Sequence, residues 1–433
     1  MNYVFYAIVL LAVVFAGFTG TPAEVGNAAL DGAKAAVNLV IGLAGPIVLF
    51  MGLMQVVQEA GGLKWMARVI RPLMVRLFPD VPPDHPAMGA MIMNIAANAL
   101  GLGNAATPFG LKAMKELDRL NTSRGTATNA MILFLAINTS GLALLPTGMI
   151  AIRRELGAMD PAAIFPTTLF ATAMSTVAGV AAAKLLQRLP AFAPPEPENE
   201  IDPYEADPDA AEGGSWLPLA GLTAFLLGVV ALVYVYEEAA SAWILPVLIL
   251  SMLTVGMVQK VKVYEVFIQG AKEGLQMVVL IIPYLVAILA AVGMFRASGG
   301  MDWVTGGISA LTAPLGLPGE ALPLALLRPL SGSGAFGITA ELLKTHGPDS
   351  YIGNLVSTMQ GSTETTFYVL AVYFGSVNAN RIRHAVFAGL TADFFGVVGS
   401  VLAVQLLLGG TDDLPSQPVP PPPIEEALPA DDE

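Results

Sequence analysis

Long apolar runs alternate along the chain with short polar stretches, and the lengths of the runs set the architecture. Nine runs approach the twenty or so residues a helix needs to cross a hydrocarbon layer: 3–20, 37–57, 126–150, 161–185, 216–236, 242–258, 276–297, 351–375 and 382–409. Two more stretches, 87–120 and 318–345, are apolar but broken by Gly, Pro, Asn or Ser. These read as re-entrant hairpins that enter and leave on one side. The pattern predicts an all-α, polytopic membrane protein with nine transmembrane helices and two re-entrant hairpins. The first run has no basic leader and a poor cleavage site at Phe18-Thr19-Gly20-Thr21-Pro22, so it reads as a retained helix rather than a signal peptide.

The basic residues fit this count. With the N-terminus in the cytoplasm and neither hairpin crossing, fifteen Lys and Arg fall on the cytoplasmic side and six elsewhere. This orientation is that of a multi-pass membrane protein with a cytoplasmic N-terminus. The runs also repeat. Gly32-Ala33-Lys34 recurs as Gly270-Ala271-Lys272, Gly61-Gly62 as Gly299-Gly300 and Trp65 as Trp303, at a constant offset of 238. In each half an amphipathic helix is followed by an apolar span, a Gly-Gly pair, a second amphipathic helix, a broken hairpin, a polar-interrupted span and a final span. An odd number of crossings between the two Gly-Ala-Lys helices makes the halves inverted relative to each other, an architecture common among secondary transporters.

Polar breaks sit at duplicated places. The first hairpin carries Asn94, Asn98, Gly101, Gly103, Asn104, Thr107 and Pro108, and the second carries Arg328, Pro329, Ser331, Gly332, Ser333 and Gly334. The span after the first hairpin is interrupted at Asn138-Thr139-Ser140-Gly141 and Pro146-Thr147. The span after the second is interrupted at Gln360-Gly361-Ser362-Thr363-Glu364-Thr365-Thr366. An unpaired amide in hydrocarbon costs several kcal/mol, so such backbone must line a cavity or be covered by protein. Asn98, Asn104, Thr107, Asn138, Ser140, Arg328, Ser331, Ser333, Gln360, Ser362, Thr363 and Glu364 are therefore candidate solute-binding residues. Asp393, midway along the last span, joins them. Small and hydroxylated residues also serve helix packing, which explains any one of them but not four paired clusters. Glu364 is either a ligand or proton site or half of an ion pair, with Arg328 as the natural partner. Trp65 and Trp303 read as interfacial anchors.

Composition removes other classes. Of the residues 55% are hydrophobic and 13% charged, with no Cys and a net charge of −13. Fifteen of the 34 acids lie in two Pro-rich segments without a base, 190–214 and 410–433. The rest of the chain is thus close to neutral, and the two segments read as a disordered linker and tail. The domain plan is a first half at 1–189, a linker at 190–215, a second half at 216–409 and a tail at 410–433. No P-loop, GxSxG, metal-ligand cluster or basic-aromatic surface occurs, so no enzyme, cofactor, metal or nucleic-acid partner is expected.

Three runs carry a resemblance. Gly101-Leu-Gly-Asn-Ala-Ala-Thr-Pro-Phe-Gly-Leu-Lys-Ala-Met-Lys-Glu-Leu117 resembles the first of two spore maturation membrane proteins. Arg328-Pro-Leu-Ser-Gly-Ser-Gly-Ala-Phe-Gly337 and the run Met359–Gly375 resemble the second, as though the two were fused. Both halves are similar to the nucleoside-recognition, or gate, domain shared with concentrative nucleoside transporters and ferrous-iron transporters. The resemblance implies a hairpin-containing transport fold in the bacterial plasma (inner) membrane. The expected function is transport of a small polar solute, nucleoside-like or otherwise, coupled to H⁺ or Na⁺, in the lipid bilayer and with homo-oligomerisation left open. The alternative is a non-transporting scaffold for envelope or spore maturation.

Overall fold

Helices follow the apolar runs and stop at their polar breaks, while the isolated prolines Pro46, Pro246 and Pro283 lie inside long helices. The computed structural model describes residues 2–101, 103–144, 146–195, 216–301, 303 and 312–408. The acidic tail and all but 190–195 of the linker lie outside the described residues. The chain is an all-α, multi-pass membrane protein. Its helices are α1 (Asn2–Thr19), α2 (Pro22–Glu59), α3 (Gly62–Leu77), α4 (Pro86–Ala99), α5 (Gly103–Arg119), α6 (Asn129–Thr139), α7 (Thr147–Glu155) and α8 (Ile164–Leu186). There follow α9 (Leu217–Val258), α10 (Val263–Ala297), α11 (Leu322–Leu327), α12 (Gly332–His346), α13 (Tyr351–Ser362), α14 (Thr366–Gly375) and α15 (Ala385–Leu407). By length and composition α2, α8, α10 and α15 can each cross a membrane alone.

Two expectations change. The amphipathic Gly-Ala-Lys helices are not separate elements but the first turns of α2 and α10. No residue between them and the following apolar span breaks the helix, so each continues for 38 and 35 residues. The expected spans 216–236 and 242–258 are likewise one 42-residue helix, α9. The sequence joining them, Tyr236-Glu-Glu-Ala-Ala-Ser-Ala242, has no Gly or Pro to end it. Its first end lies beside α3, where the Arg76 guanidinium stands 4.9 Å over the Trp216 ring.

α2 and α10 pack antiparallel along their length. A Cβ placed on Gly32 would lie 2.5 Å from the Leu289 carbonyl oxygen and 3.0 Å from the Ala290 Cα. One placed on Gly270 would lie 2.5 Å from the Met51 carbonyl oxygen and 3.1 Å from the Gly52 Cα. Subtracting the repeat offset of 238 from Leu289 and Ala290 gives Met51 and Gly52, so the two contacts are counterparts. Absent side chains bring two helix backbones together, as small residues do in membranes.

Both stretches expected as hairpins fold as helix–turn–helix pairs, α4–α5 and α11–α12. Gly101, at φ +75°, ends α4 and turns the chain into α5. In the second, Pro329 lies in the turn between α11 and α12, and the Ser331 hydroxyl caps α12 by accepting from the Gly334 amide at 3.0 Å. Both interrupted spans are broken helices, α6–α7 and α13–α14. The halves of each broken helix enter different cores, apart from Ile150 of α7, which packs in the core of α6. One core joins α3 to α6 with Leu370, Tyr373 and Phe374 of α14. The other joins α11 to α13 with Met149, Ala151 and Ile152 of α7. Each sequence half thus lends one half-helix to the core of the other.

An arginine clasps each exchanged helix at its far end. Arg153, fully buried at the end of α7, donates to Pro348 O at 2.5 Å and pairs with Asp349 at 3.1 Å, just before α13. Arg383, beyond α14, donates to Ala127 O at 3.0 Å, just before α6, and also to Phe192 O from Nε at 2.8 Å. Beside it, residues 125–127 and Arg381 exchange backbone hydrogen bonds.

Candidate functional site: the crossing of the broken helices

Where the two broken helices cross, the freed backbone groups find one another. The Glu364 amide donates to Thr139 O at 2.9 Å, joining break to break. The Leu144 amide donates to Ala99 O at 3.0 Å, joining the first break to the first hairpin, and the Phe367 amide donates to Pro329 O at 3.0 Å, joining the second to the second. Irregular backbone at membrane depth requires such partners. Gly141, at φ +59°, makes the crossing close enough: a Cβ there would stand 2.6 Å from the Thr363 carbonyl carbon.

Pockets for small solutes run upward from about 300 Å³, and the cavity beside this crossing measures 470 Å³. Asn98 and Gly101 reach it from the first hairpin, Arg328, Gly332 and Ser333 from the second, and Gln360, Gly361 and Glu364 from the second break. Pro146, Thr147 and Gly148 contribute the start of α7. The rest of the lining is mostly apolar and rich in methionine, with Met51 and Met54 of α2, Met149 of α7 and Met277 of α10. Helix starts (α7, α12) and helix ends (α4, α13) both open on this space. They offer amide donors from one kind of terminus and carbonyl acceptors from the other.

The residues expected at the site divide into two groups. Asn98, Arg328, Ser333, Gln360 and Glu364 line the cavity. Asn138 lies behind it in an amide relay: Asn98 Nδ2 donates to Asn138 Oδ1 at 2.9 Å, and the Tyr373 hydroxyl donates to the same oxygen at 3.2 Å. That hydroxyl in turn accepts from Asn94 Nδ2 at 3.1 Å, so α4, α6 and α14 are welded together. Ser140 bonds Ile137 O and the Thr176 hydroxyl, a contact of α6 with α8. Ser331 is the cap of α12, and Ser362 bonds Met359 O and the Ser400 hydroxyl. Thr363 donates from its hydroxyl to Met359 O at 3.4 Å, and its own carbonyl accepts from Arg328. Asp393 is buried and accepts from the Thr366 hydroxyl at 2.6 Å, at the start of α14 rather than on the cavity wall. Thr107, in α5, does not line the cavity. The Asn104 side chain lies outside the described residues.

Glu364 and Arg328 are neighbours, though not a tight pair. Their closest N···O distance is 3.9 Å, with the glutamate side chain 56% exposed and the arginine 8%. The carboxylate faces the cavity and the guanidinium faces the break. Sequence reasoning missed the contribution of α2 and α10 to the walls. The methionines at 51, 54 and 277 were the available signal, because flexible thioethers suit an adaptable binding surface. Among the described residues no group of three or more His, Cys, Asp or Glu is placed to hold a metal ion.

The sequence profile of the nucleoside recognition (Gate) family matches residues 40–159 and 278–380, more than half of the chain. The chain belongs to that family. Its two matched segments carry the two hairpins and the two broken helices, so the Gate family signature coincides with the walls of the cavity. Spore maturation protein B of Bacillus subtilis (strain 168) is 47% identical over 165 residues, which are 38% of this chain and 93% of that protein. Spore maturation protein A of the same organism is 41% identical over 180 residues, 42% of this chain and 92% of that protein. Among solved structures, CNTnw in an inward-facing substrate-bound state aligns with a TM-score of 0.46 at 14% identity, covering 93% of this chain and 90% of that one. Kinship with the two spore maturation proteins and membership of the Gate family place the chain among non-enzymatic membrane proteins.

Proposed function

We propose that this Gate-family chain is a permease for a small, uncharged polar solute with one apolar face, bound in the 470 Å³ cavity at the crossing of the broken helices. The observation that carries the reading is the convergence of both hairpins and the second break on one cavity lined by polar groups and by four methionines. Arg328 and Glu364 offset each other's charge there, which favours a neutral solute over an anion. Nucleosides and nucleobases have this amphipathic character, and the family description points the same way. The two halves are read as inverted repeats, because the equivalent helices α2 and α10 run antiparallel with counterpart glycine contacts. Exchange of half-helices between the cores would let the two cores rock about the breaks. Glu364, open to the cavity, is the proposed site for a coupling proton.

Uptake into proteoliposomes, measured for nucleosides, nucleobases and small carboxylates, tests the reading. A neutral solute is expected to accumulate, and Glu364→Gln to lower its flux by about tenfold or more. Absence of flux for every solute, or an unchanged Glu364→Gln variant, would remove the assignment. A second reading, a non-transporting scaffold, draws on the names of the two spore maturation relatives and on the mutual bonding of the breaks. It expects no flux and a stable partner complex.

A further inference from the structure

The end of α13 poses an electrostatic problem. The last carbonyls of a helix lack an intrahelical partner and carry about half a negative charge between them. Where a membrane helix is unwound, such carbonyls commonly coordinate Na⁺. Here three oxygens converge on a single guanidinium instead. Arg328 Nη2 donates to Gln360 O at 3.2 Å and to Thr363 O, and Nη1 donates to the Thr365 hydroxyl oxygen at 3.3 Å. Glu364, at 3.9 Å and more than half exposed, is a looser neighbour than any of these oxygens.

The first break is solved differently. Thr139 O takes the Glu364 amide at 2.9 Å. The Thr172 hydroxyl lies 3.0 Å from Ser140 O and 2.7 Å from Gly141 O. Neutral donors suffice there, because Gly141 and Thr172 turn the freed carbonyls toward α8 rather than onto one another. The cation requirement is therefore confined to the second break, and the second hairpin meets it.

We propose that Arg328 is a tethered cation, occupying at the α13–α14 break the place a free monovalent ion takes at other unwound membrane helices. The break then needs no Na⁺ from solution, and docking of the second hairpin is itself the cation-binding event. A plain salt bridge between Arg328 and Glu364 would instead make the carboxylate the essential partner. The proposal rests on the oxygen cradle and holds whether or not the cavity carries a solute, so its test is separate from the uptake assay.

The test is thermal unfolding of the purified full chain in detergent, in chloride salts of Na⁺, K⁺, choline and guanidinium at equal, non-denaturing ionic strength. Wild type is expected to unfold at the same temperature in all four. Arg328→Ala is expected to unfold about 5–10 °C lower and to regain at least half of that loss in guanidinium or Na⁺ but not in choline. Glu364→Gln is expected to shift far less than Arg328→Ala. An Arg328→Ala protein indifferent to the cation, a wild type stabilised by Na⁺ over choline, or a Glu364→Gln loss equal to that of Arg328→Ala would each overturn the proposal. If Arg328→Ala yields no folded protein, Arg328→Lys against Arg328→Met decides. Folded Lys with unfolded Met supports a required cation, and equal behaviour of the two refutes it.

Discussion

Gly141→Ala is expected to unfold about 5–10 °C below wild type and to lose solute flux entirely. Two penalties combine at this residue. Its φ of +59° is a conformation that an L side chain adopts only with strain, costing about 1 kcal/mol or more. The new methyl would also stand within 3 Å of the Thr363 carbonyl carbon, Cα and nitrogen, all backbone atoms. Backbone cannot swing aside as a flexible side chain can, so the breaks must separate, at a further cost of about 1–3 kcal/mol. Separation stretches the 2.9 Å bond from the Glu364 amide to Thr139 O and pulls Glu364 from its place on the cavity. An unfolding temperature within about 1 °C of wild type would mean that the two breaks do not touch.

The α2–α10 contact gives the second large effect, and it comes with an internal control of opposite sign. Gly32→Ala and Gly270→Ala each drive a methyl into a facing carbonyl oxygen, 2.5 Å away in both cases. Each is expected to destabilise by about 1–3 kcal/mol. The two costs should be similar because the contacts are counterparts. They should add, because Gly32 and Met51 lie nineteen residues apart on α2, about 28 Å along the axis. Gly26 lies on the same helix, and a methyl there would meet nothing within 4 Å, so Gly26→Ala should be neutral or stabilising by about 0.5–1 kcal/mol. Chemical or thermal unfolding of the three variants checks this. Equal effects at Gly26 and Gly32 would contradict the antiparallel packing, and with it the ground for reading the halves as inverted.

Much of this architecture could be read from residues, for identifiable reasons. Gly101 and Pro329 forced the hairpin turns, and Ser140-Gly141 and Thr363-Glu364-Thr365 could not continue an apolar helix. Helix continuity was harder. The Gly-Ala-Lys segment looked like a separate amphipathic helix, yet Asp31 and Lys34 are exposed on α2, where charge does not interrupt a helix. The Tyr236–Ala242 joint looked like a loop because it is polar, although its Glu and Ala residues are good helix formers. Partner choice was not legible at all. That α7 packs in the second core and α14 in the first follows from contacts distant in sequence, such as Arg153 with Pro348 and Arg383 with Ala127. For the same reason Asp393 could be recognised as a buried acid within a span but not as the partner of Thr366. Arg328 was recognised as unusual, yet the obvious partner, Glu364, proves less close than the carbonyls of Gln360 and Thr363.

The paired discontinuities are proposed to enclose a water-filled, solute-accessible cavity, and the absence of any native Cys makes one measurement direct. Single cysteines at Ser333 and Gln360, on the cavity wall, and at Val177, 69% exposed on the outer face of α8, are treated with a charged, membrane-impermeant thiol reagent in liposomes. Ser333→Cys and Gln360→Cys are expected to react, and to be protected by the solute that moves in the uptake assay. Val177→Cys, facing lipid, should remain unmodified. Failure of both cavity cysteines to react from either side of the membrane would show a dry, closed crossing and contradict the account.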